Sequence, residues 1–194
     1  MSEEETAMEN KYYPLEIGKD TVINLFDYPA FGIDGNNRKV FIKHLVKAAG
    51  EYSPVVLDRD GLLTPLSGCE YGSGEKETLE RLRELSEDEV MRRGGALSKS
   101  QTKNFFLHNA KVNEEDRLTP HLVIYVSRNL TDAAQKELFH LTVFARMTGL
   151  FPVWCYPEDE KVRQDLLGST YLYIHSDRGE CYMEELRKRT PLTF

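Results

Sequence analysis

The stretch that decides the fold class is 37-NRKVFIKHLVKAAGEYSPVVLDRDG-61. Apolar residues recur at helical spacing in its first half, which predicts a helix over 37–49 with Gly50 in the place of a C-terminal stop. Its second half contains the apolar run PVVL, which predicts a buried strand ending at Asp58. An earlier apolar run at 21–28 predicts another strand. The order strand, helix, strand is a βαβ unit, which requires a parallel sheet covered by helices.

The same alternation continues later in the chain. Thr131 can cap a helix that runs to Thr148, and Gly149 is expected to end it. The apolar runs that predict further strands are 121–127, 150–156 and 169–176, and the segments that predict further helices are 158–167 and 181–189. We therefore predict an α/β protein: a three-layer, Rossmann-like domain with about five mostly parallel strands.

The middle of the chain, about 65–120, predicts a largely helical insertion or cap over the sheet. Its segment 75–93 is highly charged with a narrow apolar stripe, which is typical of a surface helix laced with ion pairs. The Gly-Gly pair at 94–95 is expected to break that helix. The acidic residues 1–11 offer almost nothing to bury and are predicted to be a disordered tail. Residues 12–194 are then expected to form one α/β domain with its insertion.

Charge and composition narrow the classes of partner. The 194-residue chain has a formal net charge of −7, and phosphate binding needs clustered lysine and arginine, so nucleic acid is disfavoured as a partner. No stretch approaches the length of a membrane-spanning apolar segment and the first residues lack the pattern of a signal peptide, so we expect no membrane contact and a cytoplasmic location. The three cysteines have neither disulfide nor zinc-ligand spacing.

Polar side chains are predicted at the ends of several strands. In an open parallel sheet, ligands bind outside the carboxyl ends of the strands, and Asp58, Asp60, Ser127 and Asp177 are all expected at or just past such ends. Two carboxylates two residues apart can share a divalent cation, while the glycine that follows them lets a ligand approach the backbone. The pattern indicates a candidate metal and phosphate site.

The stretch VVLDRDGLLT, residues 55–64, resembles the first motif of the haloacid dehalogenase superfamily. The resemblance implies that Asp58 is a nucleophile that attacks phosphorus and that Asp60 is the general acid/base. It also implies that Ser127 binds phosphate, that Lys161 is the lysine before the last strand, and that Asp177 joins Asp58 and Asp60 in holding magnesium. The implied activity is a magnesium-dependent phosphohydrolase or phosphotransferase acting on a phosphorylated small molecule.

Three other interpretations remain open. Asp and Gly are also good residues for leaving a strand, so LDRDG can be purely structural. Asp27 followed by Asp58 and Asp60 is similar to the acidic layout of toprim-type nucleotidyl transfer sites, although a glutamate is missing at the first position. The third is a non-catalytic Rossmann-like interaction module, an assembly subunit or an inhibitor, that binds another protein through its charged helix and insertion.

The segment 71-YGSGEKET-78 contains glycines near a lysine, but it lacks the Gly-Lys-Ser/Thr of a phosphate-binding P-loop.

Overall fold

The computed structural model describes residues 13–50, 52–155, 172–177, 180–185 and 188–193. The predicted acidic tail, the helix predicted over 158–167 and Lys161 lie outside the described residues. That residues 65–120 are an insertion into a single domain stays a prediction.

Ten strands and five α-helices are formed by the described residues. The strands are β1 Pro14–Gly18, β2 Thr21–Asn24, β3 Phe31–Asp34, β4 Ser53–Asp58, β5 Glu70–Ser73, β6 His121–Val126, β7 Leu150–Cys155, β8 Leu172–Asp177, β9 Glu180–Glu185 and β10 Lys188–Pro191. The helices are α1 Arg38–Ala48, α2 Glu75–Arg83, α3 Val90–Ser100, α4 Phe105–Lys111 and α5 Asp132–Thr148, with a π-helical stretch Glu84–Glu89 between α2 and α3 and a 3-10 turn Glu114–Asp116.

The strands form one large sheet and one small hairpin. The large sheet has the order β10-β9-β8-β3-β7-β6-β4-β5, in which β9 runs antiparallel to both of its neighbours, β8 and β10, and all other adjacent strands are parallel. One face packs against α1 and the β1-β2 hairpin, and the other packs against α2, the π-helical stretch and α5. The three-layer, Rossmann-like α/β fold is therefore confirmed.

Two of the predicted helices have the expected bounds and caps. Helix α1 lies within the predicted range, and Gly50 follows it in the left-handed conformation with φ of 53°. Helix α5 begins after Thr131, whose Oγ1 accepts a hydrogen bond from the Ala134 amide, and Gly149 ends it with φ of 76°. These helix ends could be predicted from the sequence because capping depends on local residue types.

The first strand of the sheet was placed wrongly. The run 21–28 yields only β2, which pairs with β1 in the separate hairpin, and the sheet strand is β3, which follows that run. Strand β3 is four residues long and wholly buried between two parallel neighbours. So short a strand, with Gly32 inside it, shows no periodicity that a pattern search can detect.

Two helix predictions were also wrong. The described residues of the predicted helix 181–189 lie in the antiparallel strands β9 and β10 instead, because these strands add to the sheet beyond β8. The Gly94-Gly95 pair does not end the charged helix, which continues through α3 to Ser100. Tertiary contacts override the weak helix propensity of the two glycines.

Arg93 makes several of these tertiary contacts from a buried position. Its side chain is 1% exposed, and it donates to Glu89 Oε1 at 2.7 Å and to the carbonyl oxygens of Thr148 and Thr119 at 2.8 Å each. Burial lowers the pKa of the Arg93 guanidinium. Arg92 contacts the same Glu89 carboxylate from the solvent side. The charged segment from α2 to α3, residues 75–100, which we call the charged arm, is thus fixed to the end of α5 and to the chain just before β6.

Acid is expected to weaken this junction. The hydrogen bond from Arg92, with that from Arg93, lowers the pKa of Glu89 to about 2, whereas an unfolded glutamate titrates near 4.3. A depressed folded-state pKa means that the unfolded chain takes up the proton first, so the stabilisation is present above pH ~4.3 and is lost as the pH falls towards 2. Urea unfolding across this range should show a shallower decline for Glu89→Gln than for the wild type; equal slopes would contradict the assignment.

Candidate functional site

The carboxyl ends of the parallel strands place three of the predicted residues close together. Asp58 ends β4, and its register partner on the neighbouring strand β6 is Val126, so Ser127 lies one residue beyond that level. Asp60 lies in the turn after β4, where its Oδ2 accepts a hydrogen bond from the amide of Arg128 at 2.6 Å. The loops after β4 and β6 are therefore tied together.

The Asp58 carboxylate is fully buried and faces the loop that follows its own strand. Oδ1 accepts from the amide of Leu62 at 2.9 Å, and Oδ2 accepts from the amide of Leu63 at 2.6 Å and from the Tyr71 hydroxyl at 3.0 Å. Burial and the neighbouring Asp58 raise the pKa of Tyr71. These contacts satisfy the carboxylate and shape the turn, which supports the structural interpretation of LDRDG.

Asp60 and Arg59 form a partly exposed ionic link at the same edge. Arg59 Nη1 lies 3.1 Å from Asp60 Oδ1, and its Nη2 lies 2.8 Å from Glu75 Oε1 at the start of α2. The hydrogen bond to Glu75 raises the pKa of Arg59. The link joins the β4 loop to α2, and it pairs Asp60, the carboxylate that was predicted to act as acid/base, with a cation that it shares with Glu75.

Ser127 is fully buried, and its Oγ has no hydrogen-bond partner among the described residues. A buried hydroxyl without a partner costs free energy and is uncommon. It carries no charge, however, and its neighbour Asp58 is already satisfied. The pair supplies no free anionic ligand.

Asp177 lies far from these residues. It ends β8, and β3, β7 and β6 separate that strand from β4, so with strands ~4.8 Å apart the two strand ends are about 19 Å from one another. Both Asp177 carboxylate oxygens accept from Asn36 Nδ2 at 3.3 Å. One cation cannot contact both Asp58 and Asp177.

Magnesium binding stays a prediction that the geometry does not favour. Among the described residues, no group of three or more His, Cys, Asp or Glu side chains is placed to hold a metal ion. The toprim-type layout also fails, because Asp27 lies in the turn after β2, outside the large sheet, where its Oδ2 accepts from Asn24 Nδ2.

The junction between β3 and α1, residues 32-GIDGNNRK-39, is the position that the sequence reasoning missed. A strand, a glycine-containing loop and a helix in direct succession are the setting of a phosphate-binding P-loop. Here the loop is only the three residues 35–37, and it lies against the end of β8. The signal that could have found it is a glycine followed closely by the start of α1.

The backbone of this junction is closed. Gly35 has φ of +92°, and a Cβ there would lie 2.2 Å from the carbonyl oxygen of Ser176. The Asn37 amide donates to the same carbonyl oxygen at 2.9 Å, and His175 Nδ1 lies 2.6 Å from Asp34 Oδ1. The loop residues that would surround a phosphate in a P-loop are instead bonded to β8.

The residue types of a P-loop are also absent. With Gly32 at the first position of G-x-x-x-x-G-K-[ST], the last three positions hold Asn37, Arg38 and Lys39. The whole sequence contains neither Gly-Lys-Ser nor Gly-Lys-Thr. The lysine that reaches the phosphates and the hydroxyl that binds magnesium therefore have no counterparts at this junction.

No protein-family model and no curated protein matches this chain. Several solved structures, in contrast, match this chain in fold. A chain of EssC from Geobacillus thermodenitrificans that holds its ATPases 2 and 3 has a TM-score of 0.71 at 12% identity, and the likeness covers 96% of this chain and 44% of that one. The likeness is one of fold.

Two further solved structures are similar in fold to this chain. The pCW3 conjugation coupling protein TcpA, in a monomer form with ATPγS, has a TM-score of 0.67 at 14% identity over 97% of this chain and 67% of its own. The cytoplasmic domain of the type VII secretion ATPase EccC from Thermomonospora curvata has a TM-score of 0.51 at 12% identity over 94% of this chain and 26% of its own. The chain thus spans less than half the length of the EssC and EccC chains it matches.

The expected haloacid dehalogenase resemblance is wrong. The structural neighbours are P-loop ATPase domains, a different superfamily. The ten-residue match at 55–64 arose because a strand that ends in Asp-x-Asp-Gly can serve either a phosphoryl-transfer site or a turn. Here the Asp58 carboxylate accepts hydrogen bonds from the backbone amides of the turn.

No described helix is long and apolar enough to cross a membrane.

Proposed function

We propose that this chain is a non-catalytic module with the fold of P-loop ATPase domains, which binds another protein within a larger assembly. The observation that carries the proposal is the closed β3-α1 junction, where Gly35 and Asn37 lie directly on the Ser176 carbonyl group. Hydrolysis of a nucleotide depends on positioning and electrostatic stabilisation by the P-loop backbone, its lysine and its metal ion. This junction supplies neither an open phosphate-binding backbone nor the lysine.

The neighbouring strand ends do not replace the missing groups. Asp58 is occupied by backbone amides, Asp60 is paired with Arg59, and Ser127 brings no charge. Arg38 begins α1 and bears a positive charge, but its Nη1 is directed to the carbonyl oxygen of Gly35 at 3.3 Å. The contacts of these side chains at the carboxyl ends of the strands therefore support a structural role for them over phosphoryl transfer.

A protein partner is the class of ligand that fits best. The structural neighbours include a secretion ATPase and a conjugation coupling protein, and in EssC this fold occupies under half of a longer chain. The acidic net charge disfavours nucleic acid. A fold that retains its sheet and has lost the groups for chemistry is suited to holding a surface in place.

Phosphate release from ATP and GTP with magnesium tests the proposal. We expect the purified chain to release no more phosphate than buffer does, whereas a P-loop ATPase assayed in parallel releases it readily. Release that rises with protein concentration, and that disappears in Arg38→Ala prepared in the same way, would contradict the proposal.

A further inference from the structure

Helix α1 presents a basic face to solvent in an otherwise acidic protein. Lys39, Lys43 and Lys47 are exposed and lie four residues apart, so they follow one stripe of the helix. None of the three makes a hydrogen bond or ion pair with any residue that the structure describes. The helix itself contains no acidic residue, although the chain has a net charge of −7.

The charged arm, which the sequence favoured as a contact surface, is different. Its charges largely pair with one another or with the adjoining strand: Arg81 with Glu70 and Glu84, and Arg92 with Glu89. Such paired charges offer little net field to a partner. Helix α1 therefore carries a row of three exposed lysines, unpaired with any described residue, that a partner can use.

A groove runs beside the lysines. A cavity of about 660 Å³ separates α1 from the loop 64–68. Its polar lining includes Lys43, Lys47, Thr64 and Ser67, and its apolar lining includes Val46 and Leu66. No carboxylate of a described residue lines it. The groove thus combines cations and hydroxyl groups at its sides with apolar contact surface.

We infer that this face, the lysine stripe of α1 with its groove, binds an acidic segment of a partner protein in an extended conformation. Residues four apart on a helix are ~6 Å apart along its axis. Alternate residues of an extended chain are about 6.6 Å apart and point to the same side. A segment with an acidic residue at every second position therefore matches Lys39, Lys43 and Lys47 in sign and in spacing.

The inference deepens the proposed function and rests on it for the class of partner, since a protein segment is chosen over a nucleic acid. Single-stranded nucleic acid could also place negative charges along such a stripe, and its binding depends strongly on salt. The described residues that line the groove include no aromatic side chain on which bases could stack, whereas Val46 and Leu66 offer contact to apolar side chains of a peptide, so a short acidic peptide fits better.

Fluorescence anisotropy tests the inference with a short fluorescein-labelled peptide in which glutamate alternates with valine or serine. We expect saturable binding that weakens with salt, that is lost when glutamine replaces glutamate, and that falls about tenfold or more in Lys43→Glu/Lys47→Glu. The matched control is Lys99→Glu/Lys103→Glu, which makes the same charge change at exposed lysines away from α1 and should keep wild-type affinity.

Three results would overturn the inference: no binding of the peptide, equal losses in the two double variants, or tighter binding of a labelled oligothymidine than of the peptide. Thermal unfolding of each variant checks the fold, and Lys43→Gln/Lys47→Gln replaces the double reversal if it does not fold. Neither ATP nor GTP is present in this assay. Failure here therefore leaves the non-catalytic proposal standing, and phosphate release would overturn that proposal without affecting the peptide result.

Discussion

Arg93→Ala is expected to lower the free energy of unfolding by about 3–5 kcal/mol, the range found when one partner of a buried ion pair is removed. Arg93 is 1% exposed and holds Glu89 and the carbonyl oxygens of Thr119 and Thr148. Its loss leaves buried acceptors without a donor and opens a void under α3. Urea unfolding followed by circular dichroism measures the change.

Arg92→Ala is the matched control, because Arg92 contacts the same carboxylate but is 61% exposed. Exposed ion pairs contribute about 0–1 kcal/mol, so a small change is expected. If the two variants were destabilised equally, the contacts of Arg93 would not anchor the charged arm.

Asp58→Ala is expected to lower the free energy of unfolding by about 2–4 kcal/mol, because hydrogen bonds to a charged acceptor contribute about 1.5–3 kcal/mol and the partners left behind are buried. The carboxylate bonds to the amides of Leu62 and Leu63 and to the hydroxyl of Tyr71. Denaturant unfolding again gives the value.

Asp60→Ala serves as the comparison, since Asp60 is 23% exposed on its side chain and a loss of about 1 kcal/mol is expected. An Asp58→Ala protein as stable as the wild type would mean that Asp58 does not hold the turn. That result would reopen a functional role for it.

The fold class was predictable because it depends on local patterns that repeat. Helices α1 and α5 carry apolar stripes with caps at their ends, and β4 and β6 are continuous apolar runs. Strand β3 was hidden because it is short, contains Gly32 and is recognisable only once its two parallel neighbours are known. Strands β9 and β10 were missed for a similar reason: they pair with β8 in space, although their residues suit a helix.

The candidate site shows the limit of a short motif. Asp58, Asp60 and Ser127 do meet at one edge, as parallel strand ends must, but the direction of each side chain decides its role. The Asp58 carboxylate turns inward to amides that follow it by four and five residues, which no sequence pattern specifies. Asp177 was misjudged because strand order, which separates β8 from β4, cannot be read from the order along the chain.

Binding of MgATP, measured by isothermal titration calorimetry up to millimolar nucleotide, tests the central claim most directly. The closed junction at Gly35 and Asn37, with no P-loop lysine or hydroxyl, predicts no saturable heat in either the wild type or Arg38→Ala. Saturable binding by the wild type that Arg38→Ala abolishes would show that the β3-α1 junction still holds a nucleotide, and would contradict the account.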